Sequence, residues 1–343
     1  MKKILVTGAG ALLGQGILRS IDKSKYFVHT ADPQCLASGH WLGAFAHLIP
    51  FANHPDYLSE IIEIVKKFKI DVVLVGTDVE LFSFANSRQY FLDELGVNVI
   101  VSNPEVIEIA NDKWLTAEFL RKNNFPYALS ALTHDKKGLS KLLQKCDFPL
   151  IAKPVNGARS IGLELINSSN ELEKITSYQN NLVVQEYLPS NEGEFTSGCI
   201  VERGKTSAVV TLKRDLRDGN TFRAFYKKEF EKYSDFISKV AETLGVEGPC
   251  NFQFRIKNGI PIIFEINARF SGTTPLRKIF GFNEVEALLR SIFEKKKITK
   301  PVLKEGVVLR TVSDIFIHES IISSYQKFNE FKNPECNEYN FII

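Results

Sequence analysis

The strongest chemical constellation in the chain lies between Asn251 and Asn267. Phe252, Phe254 and Ile256 alternate there with Gln253 and Arg255. After a turn signal at Asn258 and Gly259, Ile262, Phe264 and Ile266 alternate with Glu265 and Asn267. For both apolar sets to share one core face, the hairpin loop must have an odd length. Three residues, Lys257 to Gly259, with Gly259 left-handed as a bulge, meet that condition, and a two-residue turn does not. This places Gln253, Glu265 and Asn267 on one polar face. Three oxygen-bearing side chains without His or Cys suit a hard divalent ion, magnesium above all. The competing reading is a solvated outer sheet face. Against it stand the poor strand propensity of Asn and the residues that follow, Ala268, Arg269, Phe270, Ser271 and Gly272, an Arg and small residues suited to a phosphate.

A second constellation begins at Lys153, which ends a strand and is followed by a loop containing Gly157, Ser160 and Gly162. A fixed ammonium beside flexible backbone N–H donors suits a triphosphate, and a plain turn with a solvent-seeking lysine is the alternative. Gly8 and Gly10 follow the first strand and Asp32 ends the second, but Gly14 makes the spacing one residue longer than the dinucleotide fingerprint. Such glycines admit an anion without naming it. Gly204, Lys205 and Thr206 end like a P-loop, yet Cys199 stands where its first glycine belongs. His40, His47 and His54 recur every seven residues, but prolines interrupt any single helix that could align them as ligands.

These residues need a scaffold. At 343 residues the chain holds about two domains of average size. With 44% hydrophobic and 24% charged residues it is neither disordered nor fibrous. The 43 Lys and Arg against 40 Asp and Glu leave a charge of +3, too balanced for a nucleic-acid binder. Residues 33–55 carry no formal charge, but prolines, histidines, Gln34 and Asn53 break any apolar run of the roughly 20 residues a membrane span needs, so a buried loop or short element is expected. Lys2, Lys3 and the apolar run to Leu13 outline a signal peptide, but glycines at 8, 10, 14 and 16 argue for a strand and tight turn. Five scattered cysteines without a Cys-x-x-Cys pair fit a reducing, cytoplasmic setting.

Strands at 3–7, 27–30, 71–75 and 97–101, with helical spacing at 57–69, predict a parallel sheet with helices on its faces. A domain boundary follows near 105. The next section predicts a helix containing Lys113, strands at 149–153, 163–166 and 183–187, and a helix near 170–178. From Glu194 antiparallel strands follow, with hairpins at Arg203-Gly204 and Asn258-Gly259 and a helix over 229–244. The tail after 318 shows one short helical stretch and no chemistry.

Lys153-Pro154 with Gly157, Ser160 and Gly162, then Gln185, Glu186, Tyr187 and Leu188, and above all Glu265, Ile266, Asn267, Ala268 and Arg269, resemble in order and spacing the ATP-grasp superfamily, particularly its carbamoyl-phosphate synthase large-subunit branch. The resemblance covers residues 1 to about 315. It implies an α/β fold: a Rossmann-like, parallel-sheet pre-ATP-grasp domain over 1–105, a two-lobed α+β ATP-grasp unit with its small lobe at 106–187 and large lobe at 188–318, and a tail at 319–343. It implies that Lys113 and Lys153 contact ATP phosphates under the 157–162 loop. The main chain of Glu186 and Leu188 would read adenine, and Glu194 would take the ribose hydroxyls. Gln253, Glu265 and Asn267 would hold Mg2+ or Mn2+, while Arg269 faces the γ-phosphate or acylphosphate. Ala158 and Arg159 are larger than the residues usual in such a loop, and the spacing from hinge to Glu194 is one residue longer.

The chemistry so implied is ATP-dependent activation of a small-molecule carboxylate for attack by an amine or similar nucleophile, in a monomer or homo-oligomer. Asp78 and Glu80 are candidates for holding the amine or for helix capping. Arg214, Arg217 and Arg223 are carboxylate partners or a solvated basic stretch. An NAD-binding oxidoreductase and a non-catalytic ATP-binding protein are the alternatives.

Overall fold

The computed structural model describes residues 1–157, 161–178, 181–311 and 313–332. The chain opens with β1 (Lys2–Val6), β2 (Tyr26–Asp32), β3 (Phe45–Leu48), β4 (Val72–Leu74) and β5 (Asn98–Ile100), all parallel and ordered β3-β2-β1-β4-β5. Helices α1 (Leu12–Leu18), α2 (Tyr57–Phe68) and α3 (Leu81–Asp93) cross between them. Ile4, Leu5, Val6 and Val72 to Leu74 are fully buried, as a parallel sheet covered on both faces demands of its central strands. Strand order reverses between β1 and β4, so the loops that follow them lie side by side at the carboxyl edge of the sheet. The uncharged segment 33–55 folds into a short 3-10 turn, Ser38–Leu42, and the buried β3.

Helices α4 (Pro104–Asn111) and α5 (Lys113–Lys122) lead into a four-stranded sheet of β6 (Ser130–Leu132), β7 (Leu150–Pro154), β8 (Glu164–Ile166) and β9 (Leu182–Glu186), ordered β6-β9-β7-β8, with α6 (Lys136–Leu143) and α7 (Ser169–Tyr178). It has its own core, in which Leu150, Ala152 and Val184 pack with Leu139 and Leu172. A second, antiparallel sheet comprises β10 (Glu194–Glu202), β11 (Lys205–Arg217), β12 (Asn220–Tyr226), β13 (Gly248–Lys257), β14 (Ile260–Asn267) and β15 (Gly306–Leu309), ordered β14-β13-β10-β11-β12-β15. Helices α8 (Ser234–Leu244), α9 (Thr274–Phe280) and α10 (Glu284–Glu294) cover it. Leu5 and Val73 of the first sheet share a core with Phe252, Phe254 and Ile263 of this one, so the two pack as one body. The α/β architecture expected from the sequence, a parallel-sheet domain followed by a two-lobed α+β unit, is the one observed.

Two expectations change. The β13–β14 turn has two residues, Asn258 (φ 54°) and Gly259 (φ 77°), both left-handed. The parity mismatch is absorbed inside the hairpin instead: Phe254 pairs with Ile263 and Gln253 with Glu265, which leaves Phe264 as a bulge. Ile263 therefore takes the core position, and Ile262 and Phe264 pack with Leu188 on the opposite side. The supposed tail also has a structural role. After α11 (Glu319–Phe328), β16 (Glu330–Lys332) pairs antiparallel with β3 and completes the first sheet at six strands. Tyr325 is buried against it, its hydroxyl 3.0 Å from His40 Nε2.

Candidate active site

The cleft between the small sheet and the antiparallel sheet collects most of the residues singled out from the sequence. Along β7, Leu150 and Ala152 point into the small-lobe core, so Ile151 and Lys153 point into the cleft. Lys153 is buried and its ammonium donates to Gln185 Oε1 at 2.8 Å, while Gln185 donates in turn to Ser130 Oγ at 2.8 Å. Burial pushes the Lys153 pKa down to about 8, against the opposing pull of Glu265. Lys113 opens α5. Asp112 caps that helix by accepting from the N–H groups of Trp114 and Leu115 at 2.7 and 2.9 Å. The Lys113 N–H donates to Val155 O at 2.9 Å and its ammonium to Gly157 O at 2.7 Å, which ties the helix start to the loop after Lys153. Burial lowers its pKa as well. Gly157 and Gly162 are both left-handed in φ, whereas Ser160 lies outside the described residues.

The far wall of the cleft depends on strand register. Glu194 on β10 is paired with Arg214 on β11 and Arg255 on β13. Its Oε1 accepts from Arg214 Nη2 at 2.6 Å and its Oε2 from Arg255 Nη2 at 3.0 Å. The carboxylate expected to meet ribose alone is thus clamped between two guanidiniums. Arg255 also donates to the carbonyl of Leu188 at 2.9 Å. Glu186 is buried, its Oε1 accepting from Leu129 N–H at 2.9 Å and its Oε2 from the Lys257 ammonium. Arg255 and Phe264 had no role assigned from sequence. Arg255 sat on the polar face in plain view, but its partner Glu194 is 61 residues away.

Gln253, Glu265 and Asn267 converge as the polar face required. Glu265 Oε1 accepts from Gln253 Nε2 at 2.8 Å and Asn267 Nδ2 at 2.9 Å. The outward amide oxygens continue the network: Arg214 donates to Gln253 Oε1, and Arg269 Nη2 to Asn267 Oδ1 at 2.9 Å. One carboxylate and two amides, all able to present oxygen, form a hard donor set that fits a Mg2+ sharing its remaining ligands with water and phosphate. Among the described residues no group of three His, Cys, Asp or Glu side chains offers a rival metal site. His40 instead pairs with Thr30 Oγ1 at 2.9 Å, and His47 Nε2 with His29 Nδ1 at 2.9 Å, all buried.

The first domain reaches the same place. Asp78, in the loop after β4, forms an ion pair with Arg269 at 2.6 Å. Glu80 points away from the cleft: it is buried and accepts from Thr7 Oγ1 and Tyr57 OH, both at 2.7 Å, so it neither caps a helix nor meets an amine. Of the three arginines weighed from sequence, Arg214 lines the cleft, Arg217 stacks on Phe222 at 3.6 Å, and Arg223 pairs with Asp215 at 3.0 Å. The glycine loop after β1 is packed by the protein itself. Asp32 Oδ2 accepts from Gly10 N–H at 2.7 Å and Oδ1 from Gln34 N–H at 3.0 Å. A Cβ on Gly39 would stand 1.8 Å from Ala9 O, and one on Gly14 2.2 Å from Gly8 O. The carboxylate that a dinucleotide would need for its ribose is therefore spent on the loop.

Two family models match the ATP-binding region. One, described as ATP-grasp in the biosynthetic pathway with Ter operon, covers residues 178–315, and a RimK-like ATP-grasp domain covers 110–244. These matches place residues 110–315 in the ATP-grasp superfamily. The chain resembles the carbamoyl phosphate synthase branch: the large chain of that enzyme from Methanocorpusculum labreanum is 22% identical over 94% of this chain. This chain spans about a third of that relative, 32% of its length. Among solved structures, the Staphylococcus aureus N5-carboxyaminoimidazole synthetase complexed with ADP matches with a TM-score of 0.73 at 15% identity, over 91% of this chain and 82% of its own. The biotin carboxylase domain of the Hydrogenobacter thermophilus 2-oxoglutarate carboxylase, solved with MgADP, ADP and bicarbonate, matches with a TM-score of 0.68 at 15% identity, over 87% of this chain and 71% of its own. ATP-grasp ligases are thus what the chain is similar to, and the oxidoreductase reading finds no support. Among the described residues no helix is long and apolar enough to cross a membrane.

Proposed function

We propose that the protein uses ATP to activate the carboxylate of a small-molecule acid as an acylphosphate, which an amine then attacks to give an amide, ADP and phosphate. The observation that supports this reading is the convergence, on the walls of one cleft, of the Lys113 and Lys153 ammoniums with the oxygen-donor set of Gln253, Glu265 and Asn267, which continues into Arg269. Leu188 N–H and the Glu186 carbonyl would meet adenine, with Phe264, Ile151 and Leu163 as the apolar walls around it. Glu194, held rigid by Arg214 and Arg255, would accept the ribose hydroxyls. Gln253, Glu265 and Asn267 would hold Mg2+, with Mn2+ as an alternative, and the bound ion would supply charge neutralisation at the phosphates.

An oxygen of the substrate carboxylate attacks the γ-phosphorus as the bond to the β,γ-bridging oxygen breaks and ADP departs. The amine nitrogen then adds to the acyl carbon, and phosphate leaves with the carboxylate oxygen it acquired. The carboxylate is already a competent nucleophile, so the first step needs positioning and charge stabilisation more than a base. Lys113 and Lys153 hold the phosphates, and Arg269 faces the developing charge. Coupled ADP release with hydroxylamine as the trapping amine tests this: the hydroxamate of an accepted acid should form with ADP in equal amounts. Glu265→Gln and Lys153→Ala should each lower that rate by about 100-fold or more. Acid-dependent ADP formation that survives both substitutions would overturn the assignment.

A further inference from the structure

Beyond the donor triplet the cleft continues into a second hollow bounded by Arg214, Thr221, Arg269, Ser271 and Arg310. Leu12 and Leu13 from the first domain close it. Its cations are unevenly compensated. Arg269 is paired with Asp78 and Arg214 with Glu194. Arg310, held at the end of β15 by its N–H to Phe222 O at 3.0 Å, donates Nη2 to the carbonyl of Gly272 at 2.5 Å, and among the described residues it has no carboxylate partner. That contact sets its guanidinium on the loop three residues beyond Arg269. Burial and the nearby charge of Arg19 both disfavour its protonated form, so the fold holds a cation there at a cost. An unpaired, half-buried guanidinium facing a hollow is a receptor for a planar or tetrahedral anion.

The position relative to Arg269 says which anion. The reacting carboxylate belongs beside Arg269 and the donor triplet, and Arg310 faces the same hollow, with Leu12 and Leu13 on its wall. Leu12 is in van der Waals reach of Gly272, 3.4 Å from where a Cβ would stand, so the two domains meet directly at its rim. We propose that Arg310 binds a second anionic group, carboxylate or phosphate, at the far end of a short acid substrate, so that the enzyme selects diacids or phosphorylated acids. The proposal rests on the acid-activating reading above.

The test uses the full chain with MgATP and hydroxylamine, comparing succinate with butyrate and 3-phosphoglycerate with glycerate, for wild type, Arg310→Gln and Arg310→Lys. Loss of a charge-assisted contact corresponds to about 10- to 100-fold in affinity, so wild type should prefer at least one doubly anionic acid by that factor in kcat/KM. Arg310→Gln should erase the preference while leaving the KM for ATP within about threefold, and Arg310→Lys should keep part of it. The preferred pair identifies the anion. Equal rates within both pairs in wild type, or a preference that survives Arg310→Gln, would overturn the proposal. If no acid supports ADP release, the activation reading fails separately, and thermal shifts in the presence of the magnesium complex of a β,γ-imido ATP analogue decide this one. Stabilisation of wild type but not Arg310→Gln by succinate or 3-phosphoglycerate supports it, and equal or absent shifts refute it.

Discussion

Arg269 and Asp78, 191 residues apart in the chain, form a two-pronged ion pair, Nε to Oδ1 at 2.6 Å and Nη2 to Oδ2 at 3.1 Å. The same Nη2 reaches Asn267 Oδ1 at 2.9 Å, so the first domain fixes the guanidinium that is proposed to face the reacting phosphate. Asp78→Asn keeps the shape but loses the charge that orients Arg269. Its side chain is 44% exposed, so the change in melting temperature should be small. The turnover rate should fall by about 10- to 100-fold with little change in the KM for ATP, because the interaction matters most as charge develops. Steady-state kinetics check this. An unchanged kcat would mean that Arg269 is oriented without help from the first domain.

Lys153 carries a pH dependence with a definite sign. Its pKa is held at about 8 by burial, against 10.5 for an ordinary lysine. In the free enzyme the cation proposed to bind phosphate is therefore lost as pH rises through about 8, and kcat/KM for ATP should fall along an alkaline limb that begins there. Lys153→Arg keeps its charge at every accessible pH and should lack that limb, whatever its rate at neutrality. Folding runs the other way. The unfolded chain binds the proton more tightly between about pH 8 and 10.5, so this group makes folding more favourable as pH climbs through that window. A flat wild-type profile from pH 7 to 9.5 would show that Lys153 does not titrate in the free enzyme.

Phe264 is the extra residue of the β14 bulge, and its ring lies 5.6 Å from the Lys153 ammonium and 6.0 Å from the Arg255 guanidinium. The bulge delivers Phe264 and Glu265, neighbours in sequence, to the same cleft. Phe264→Ala removes an apolar wall and two cation–ring contacts without touching the donor triplet. The KM for ATP should rise about tenfold with kcat within about threefold, since such contacts contribute on the order of 1 kcal/mol or somewhat more. Nucleotide titration by calorimetry would register the same loss. A large drop in kcat alone would instead place the ring's effect on the chemical step.

How far this site could be read from residue order depends on distance along the chain. Gln253 and Glu265 sit on one hairpin, and alternation alone showed that their face is shared, even though a bulge rather than the turn brings it about. Lys153 and its glycine loop are likewise local. The Glu194 clamp is set by the register of three strands, and no pattern within β10, β11 or β13 states which residues will stand opposite one another. Arg310 directly follows the outermost strand β15, which β12 positions, so its approach to Gly272 exists only in the folded chain. β16 illustrates the same limit: three residues of weak alternation become a strand because β3 offers an unpaired edge. Glycine spacing is ambiguous in the opposite direction. Gly14 and Gly39 are required by close backbone approach within the protein, a need that looks identical in sequence to making room for a dinucleotide.

Glu80 makes stability itself a reporter of the first domain's packing. It is fully enclosed beneath the switch-point loops, and burial raises its pKa from 4.5 to about 7 despite hydroxyl donors from Tyr57 and Thr7. The folded state therefore holds this proton more tightly than the unfolded state between about pH 4.5 and 7. The stability it contributes is present below that window and is lost as pH rises through it. A shift of this size corresponds to about 3 kcal/mol. Glu80→Gln keeps a carbonyl acceptor for one hydroxyl and presents an amide to the other, which can rotate to accept, and it does not titrate. Denaturant melts of both proteins at pH 5, 6, 7 and 8 should show the variant gaining on wild type by about 3 kcal/mol across the series, most of it below pH 7. Parallel stability curves would mean that Glu80 is ionised at pH 5 in the folded chain and that the enclosure inferred for it is wrong.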